Sequence, residues 1–338
     1  MQGHFKNILI TGVAGFIGFH LSKWLCKNGF RVIGIDNIND YYDVELKKAR
    51  LKILNSIDNF EFHKVDLNDS ELIEVFESEK IEVIINLAAQ AGVRHSLEHP
   101  DDYVHSNVSG FVKLIELSKK FSIKHFMYAS TASVYGANKE LPFETGHSAD
   151  HPISLYAATK RSNELIAHSY SALFDLPVTG MRFFSVYGPY GRPDMALFKF
   201  TKAILEEKPM DVYNHGKMKR SFTYIDDLCE SVLRLIEKVP AKNDNWDGIN
   251  RNPSHSFASF QVVNVGNDQV VDLIYYIELI EKKLGKKAIV NYLPMQPGDI
   301  AASKPDLEDL VTKIDYRPST PIEVGINNFI DWYLDFYK

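Results

Sequence analysis

Short apolar runs alternate with amphipathic stretches through the first half of the chain. The runs at Asn7–Thr11, Arg31–Ile35, Glu61–Val65, Glu82–Asn86, His125–Ser130 and Val178–Phe183 predict strands. Each is brief and mostly apolar, the pattern of a strand buried on both faces. Between them, helical periodicity predicts helices at Phe16–Asn28, Val44–Asn55, Ser70–Glu79, Tyr103–Phe121 and Leu155–Phe174. Strand and helix in strict alternation, joined by short connections, imply right-handed crossovers and a parallel sheet. The expected fold class is therefore α/β, a doubly wound, Rossmann-like parallel sheet.

Past residue 184 the rhythm breaks. Gly188-Pro189-Tyr190-Gly191-Arg192-Pro193 reads as a loop by composition. Helices expected at Ala196–Glu206, Asp226–Glu237 and Asp272–Leu284 are separated by polar loops, and Lys242–Ser259 reads as a surface excursion. The expectation is one unit over residues 1–184, with the chain free to cross back later, and a smaller α/β lobe built mainly from 185–338. Two such units form a cleft over the carboxyl ends of the parallel strands, where ligands bind in open α/β sheets.

Composition narrows the function classes. The 338 residues are 45% hydrophobic and 24% charged, as in ordinary globular proteins. Thirty-eight basic against 44 acidic residues give a net charge of −6, with no general attraction to nucleic acid or an anionic membrane. Two cysteines, Cys26 and Cys229, exclude a disulfide framework and a Cys-rich zinc module. No run of about 18 apolar residues predicts a membrane span, and Asn7–Thr11 is too short for a secretory signal. A cytoplasmic protein is expected. The twelve histidines form no metal-binding motif; His95, His99 and His105 read as surface or cleft residues, and no metal is expected.

Candidate chemistry begins at Thr11-Gly12-Val-Ala-Gly15-Phe-Ile-Gly18, which follows the first strand and opens the first helix. One glycine permits the tight turn, one lets backbone approach a pyrophosphate, and one lets helix pack on strand. Unpaired N–H groups and the helix dipole favour negative charge there. The second strand ends at Asp36, an acid placed to accept hydrogen bonds from an adenosine ribose diol and to repel a 2′-phosphate. That order favours NAD over NADP. Asp66, before Leu67, either accepts from the adenine amino group or holds the turn ahead of the next helix. Leu87-Ala88-Ala89-Gln90 is small and flat enough for backbone to pass close to a cofactor.

Tyr156-Ala-Ala-Thr-Lys160 puts a phenol and an ammonium one helical turn apart. A free phenol has a pKa near ~10; a nearby Lys and the positive nicotinamide ring would favour the phenolate needed for a base. Upstream, Ser130-Thr131-Ala132-Ser133-Val134-Tyr135-Gly136 ends a strand with a cluster of hydroxyls. An amphipathic face alone also explains Tyr156 and Lys160; the hydroxyl cluster favours chemistry.

The glycine turn, the hydroxyl strand end and Tyr156-x-x-x-Lys160 together resemble the extended short-chain dehydrogenase/reductase superfamily, from Ile8 to about Asp309. The resemblance implies an NAD-binding Rossmann-like domain over 1–184 and a nucleotide-sugar lobe over 185–338. It implies Thr131, Ser133, Tyr156 and Lys160 as the catalytic group, with Lys160 on the nicotinamide ribose. It further implies cofactor contacts at Phe16, Ile17, Asn37, Leu67, Leu87, Ala88, Ala89, Asn107, Ser130 and Phe183, beside Gly12, Gly15, Gly18, Asp36 and Asp66. Dehydratases of that superfamily usually carry Asp-Glu, and UDP-glucuronate decarboxylases a Glu, where this chain has Ala132-Ser133. Elimination lacks its acid and base, which leaves epimerisation.

Three longer stretches, Gly34–Asp43, Ala88–Arg94 and Arg182–Ala196, resemble UDP-glucuronate 4-epimerases. Members of that family usually have Thr at Ser185 and often Trp at Tyr190; Ser keeps the hydroxyl. The resemblance implies Arg192 on the substrate carboxylate, Arg220 on the diphosphate, Tyr213 near uracil, and further substrate contacts at Val93, Thr131, Ser133, Ser185 and Asp299. The reaction it implies is NAD-dependent conversion of UDP-glucuronate to UDP-galacturonate through a 4-keto sugar, a product suited to polysaccharide synthesis. Two alternatives stay open: 4-epimerisation of UDP-glucose or UDP-N-acetylglucosamine, where Arg192 would meet a neutral carbon 6, and a non-catalytic NAD-sensing member of the fold. The Val104, Val108, Phe111, Val112 and Ile115 stripe can cover the sheet; relatives pair this helix and the Tyr156 helix into a four-helix bundle, so the resemblance implies a homodimer.

Overall fold

The computed structural model describes residues 5–249, 252–296 and 298–337. Seven parallel strands form the central sheet: β1 (Asn7–Thr11), β2 (Arg31–Asp36), β3 (Phe60–Lys64), β4 (Val83–Asn86), β5 (His125–Thr131), β6 (Val178–Phe183) and β7 (Phe260–Val265). Their spatial order is β3-β2-β1-β4-β5-β6-β7, so the strand order reverses beside β1, the crevice where such sheets bind ligands.

Side chains alternate across the pleat. Ile8 and Ile10 join one core with Met127, Met181 and Val263, covered by helices Phe16–Lys27 and Ile225–Ile236. Leu9 points to the other face with Ile84, Phe126 and Val262, covered by Leu72–Ser78, Gly110–Lys120 and Leu155–Phe174. Burial on both faces explains the near-continuous apolar strands.

Two expectations change. The sequence offers no strand at 260–265, yet this run pairs with β6 from Phe260↔Val178 to Val265↔Phe183. With Ile225–Ile236 also packed on the first helix, residues beyond 184 are shared between the sheet and the smaller lobe. Tyr103–Phe121 is not one α-helix: Pro100–Tyr103 leads into a π-helical turn at Val104–Ser109, then Gly110–Lys120. Asn7–Thr11, Val178–Phe183 and Leu155–Phe174 coincide with expectation and the remaining boundaries differ by one or two residues; Leu155–Phe174 begins with Ser154 Oγ accepting from Ala157 N at 3.2 Å.

The smaller lobe is a set of short ladders. Lys219–Ser221 lies between Val270–Asp272 and Ala302–Ser303, and Pro209–Val212 pairs with Ile289–Tyr292. The final helix, Ile322–Tyr337, packs Trp332 on Tyr190 at 4.9 Å between ring centres, which ties the chain end to the loop carrying Arg192. No helix among the described residues is long and apolar enough to cross a membrane.

Candidate active site

A cleft of about 450 Å³ runs over the carboxyl ends of β1, β2, β4 and β5 and under the smaller lobe. At one end lies the glycine turn. Gly12 has φ +77°, and a Cβ there would meet the Ala88 backbone nitrogen at 2.8 Å. A Cβ on Gly18 would lie 2.1 Å from the Gly12 carbonyl oxygen. The first position needs glycine for its backbone angle and the second for helix approach. Gly15 caps the helix with no side chain, so the first N–H groups are open to the cleft that Gly15, Phe16, Ile17 and Gly18 line.

Asp36 ends β2 as expected, and it also braces the turn. Its carboxylate accepts from Ala14 N at 3.0 Å and Ile38 N at 2.8 Å. Burial raises its pKa, eased by the Ile38 N–H and the Lys47 charge. Asp66 accepts from Asn37 Nδ2 at 2.6 Å and from Asn68 N at 2.8 Å, which holds the turn, and it also lines the cleft. Leu87 N and Ala88 N donate to Thr11 Oγ1 at 3.2 and 3.0 Å, which pins the flat Leu87–Ala89 segment against β1.

Tyr156 and Lys160 project from the start of Leu155–Phe174 into the middle of the cleft. Among the described residues Lys160 has no hydrogen-bond partner, and burial pulls its pKa down to about 8, partly offset by Glu164. A glycine cradle that a Cβ would fill, an uncapped helix start, an acid closing β2 and a buried ammonium without a partner together fit a dinucleotide. Burial holds the Tyr156 phenol above its ordinary value; the Thr131 hydroxyl and the Arg192 charge ease this.

Thr131 ends β5 and caps the turn Ala132–Tyr135 by accepting from Ser133 N at 3.2 Å, with its hydroxyl 3.3 Å from Ser133 Oγ. Ser130 lines the cleft, but its hydroxyl turns away and donates to Glu164 at 2.6 Å. Glu164 in turn accepts from Nε and Nη2 of buried Arg182 at 2.9 Å each and from Arg161 at 2.8 Å. Burial would raise the Glu164 pKa, and Arg182 first among its partners holds it at about 2. This network locks the Leu155–Phe174 helix to β5 and β6.

At the other end lie Val93, Phe183, Ser185, Arg192, Arg220 and Asp299. The Arg192 guanidinium is one-fifth exposed and forms a two-point pair with Asp194, Nε–Oδ1 2.9 Å and Nη2–Oδ2 2.5 Å. Burial opposes its charge, but Asp194 outweighs burial and holds its pKa above the ordinary value. Arg220 donates to the Ile300 carbonyl at 2.5 Å and lies 3.9 Å from Asp299. Arg94 lies 4.0 Å from Asp299 and 4.6 Å over the Tyr213 ring, placing a second cation beside this turn.

Two expected residues are not brought into the cleft. Asn107 lies beneath it: Oδ1 accepts from Gln90 N at 2.8 Å, and Nδ2 donates to Gln90 O and Thr159 Oγ1 at 3.0 Å each. The π-helical turn directs this amide toward the protein, where it ties the segment after β4 to the Leu155–Phe174 helix, and Ser106 lines the cleft in its stead. Tyr213 is held outside the lining by Arg94 and by Asp211, at 3.5 Å from its hydroxyl. The histidines also hold a surprise for a spacing argument: His95, His99 and Asp102 bring one ligand atom each within 4.8 Å of one another.

Three contributors carry no motif. Arg50, fully buried, donates to Ala14 O, Tyr42 Oη and Tyr190 O, each at 2.7 Å, joining the glycine turn to the Arg192 loop. Tyr103 donates to Gly92 O at 2.5 Å and meets the Tyr156 ring edge-on at 6.2 Å. Tyr41 donates to Asp194 at 3.3 Å. The only sequence signal was that Tyr41, Tyr42 and Asp194 fall inside the stretches carrying the family resemblance.

Comparison with known proteins agrees with this construction. Residues 8–247 match the NAD dependent epimerase/dehydratase family. The chain is 54% identical to protein CapI of Staphylococcus aureus, over 98% of this chain and 99% of that one. It is 47% identical to a probable UDP-glucuronate 4-epimerase of Rhizobium meliloti, over 98% and 97%. The crystal structure of the UDP-glucuronic acid 4-epimerase from Bacillus cereus, in complex with UDP-glucuronic acid and NAD, superposes with a TM-score of 0.86 at 31% identity, covering 98% of this chain and all of that one. With the family matched over most of its length and the dinucleotide cradle in place, the chain belongs to the NAD dependent epimerase/dehydratase family, as an enzyme that uses NAD.

Proposed function

We propose that the protein interconverts UDP-glucuronate and UDP-galacturonate at carbon 4. The observation that carries this reading is Arg192: a guanidinium reaches the cleft that holds Tyr156, near enough for its charge to ease the phenol's ionisation. A neutral hexose gives that cation nothing to pair with; a carboxylate on carbon 5 does.

Gly12, Gly15 and Gly18 with the helix start hold the pyrophosphate of NAD, Asp36 its adenosine ribose, and Lys160 its nicotinamide ribose. Bound NAD supplies a hydride acceptor and donor at carbon 4 of the sugar, and its positive ring favours the Tyr156 phenolate. Tyr156 removes the proton of the 4-hydroxyl and later returns it, while Thr131 and Ser133 hold that oxygen. The sugar passes through a ketone at carbon 4 beside the carboxylate on carbon 5, a β-keto acid. Such acids lose carbon dioxide when the carboxylate bond aligns with the carbonyl π system. Arg192 holds the carboxylate in place, and with it the direction of its bond to carbon 5, against that alignment. Arg220 holds the diphosphate, about which the ketone turns to present its other face.

A homodimer fits the same reading. Val104, Leu165, Leu173 and Phe174 are between 46% and 73% exposed on the two helical segments that would pair, and light scattering at the mass of two chains would support it.

The test is a substrate panel. UDP-glucuronate should be converted to UDP-galacturonate, and Arg192→Ala should lose roughly 10- to 100-fold in kcat/KM, the worth of a charged hydrogen-bond pair. Equal activity of the unaltered protein on UDP-glucose, unaffected by Arg192→Ala, would transfer the assignment to a neutral sugar.

A further inference from the structure

We propose that Asp194 is the positioning residue that sets the plane of the Arg192 guanidinium, and so decides whether the keto sugar is kept or loses carbon dioxide. This rests on the carboxylate assignment above.

The geometry is a count of donors. A guanidinium has five N–H groups in one plane. Asp194 takes Nε with one oxygen and Nη2 with the other. The Ala91 carbonyl accepts from Nη2 at 3.5 Å. Neither engages Nη1. A carboxylate on the Nε–Nη2 edge therefore leaves the Nη1 end of the fork for a second carboxylate, in a plane already defined.

The local sequence builds this pair. Met195 N donates to Arg192 O at 3.1 Å, closing a turn over Arg192-Pro193-Asp194-Met195. Proline in the second position presets the backbone angle such turns need. The turn folds Asp194 back onto the arginine two residues before it. Tyr41 Oη donates to the Asp194 oxygen that also receives Nη2. Burial would favour a neutral acid at Asp194, but Arg192 outweighs it and keeps the carboxylate ionised.

Without Asp194 the guanidinium can shift and turn about its last side-chain bonds; the substrate carboxylate moves with it, and the direction of its bond to carbon 5 is no longer fixed. When the bond from carbon 5 to the carboxylate lies parallel to the carbonyl π orbitals, it breaks. Its electron pair forms the enolate of the 4-ketone, a solvent proton adds at carbon 5, and carbon dioxide leaves. The product is a UDP-4-keto-pentose. The hydride is then not returned, and the cofactor is left reduced.

The experiment compares the NAD-loaded protein with Asp194→Asn and Asp194→Ala on UDP-glucuronate. It measures KM, the ratio of UDP-galacturonate to decarboxylated product, and the build-up of reduced cofactor by its absorbance. We expect KM to rise roughly tenfold in Asp194→Ala, the worth of about one charged hydrogen bond, with a smaller rise in Asp194→Asn. The decarboxylated fraction and reduced cofactor should rise with it. Tyr41→Phe, which removes one hydroxyl and keeps the ring, should move both in the same direction by less, and it serves if the Asp194 variants fail to fold. An unchanged product ratio overturns the proposal. So does a lower KM, which would make Asp194 a competitor of the substrate carboxylate. Failure of the unaltered protein to epimerise UDP-glucuronate would instead overturn the function assigned above.

Discussion

The two ends of the cleft are built from different materials. The dinucleotide end is mostly backbone: three glycines, a bare helix start, and a carboxylate that accepts two N–H groups. The sugar end is mostly side chain: Tyr156, Thr131, Arg192 with Asp194, and Arg220 with Asp299. Backbone can carry a ligand shared by a whole family, because its geometry survives change in the side chains around it. Side chains carry what differs between members, the group on carbon 5 above all.

Tyr156→Phe separates the ends most sharply. Removing the base should lower kcat by roughly 10³-fold, while NAD content stays at the level of the unaltered protein, measured by cofactor release on denaturation. A variant that also loses NAD would mean that the phenol belongs to both ends. Gly18→Val does the opposite. Its Cβ collides with a backbone oxygen that cannot move aside, so it should cost about 3 kcal/mol of stability and abolish NAD binding, read by thermal unfolding and nucleotide titration. Normal NAD affinity in that variant would contradict a backbone-built cradle.

Lys160 joins the two ends, and its effect is smaller. Burial lowers its pKa from 10.5 to about 8. Between about pH 8 and 10 the unfolded chain therefore binds more protons than the folded one, and this residue makes stability rise with pH. Urea unfolding across that range should show the rise, and Lys160→Met should reduce it by about 1–3 kcal/mol at pH 10. Parallel curves for the two proteins would mean that the ammonium is not desolvated.

The same division explains what could be read from the chain. Strands β1, β2 and β6 and the Leu155–Phe174 helix follow from apolar period and caps, and the glycine turn from spacing, because all are local. β7 was hidden because Gln261 and Asn264 interrupt its apolar run. Both are buried and bonded far along the chain, Gln261 to Thr179 and Lys238, Asn264 to Phe143 and Tyr135. Asn107 was assigned to the cofactor through the family resemblance, whereas the π-helical turn points it toward Gln90. Arg50 and Tyr103 left no mark in the sequence because their partners, Tyr190 and Gly92, are joined to them only by the fold. Asp194 lay inside a recognised stretch, but its pairing with Arg192 depends on a turn closed by Met195.

The central claim is that a hydrogen leaves carbon 4 and returns to it while the neighbouring carboxylate is retained. Its most direct test is UDP-glucuronate carrying deuterium at carbon 4, incubated with the protein in ordinary water and separated by product. The account predicts UDP-galacturonate with the deuterium still on carbon 4 and the carboxylate intact. Loss of the label to solvent, or a pentose as the main product, would contradict it.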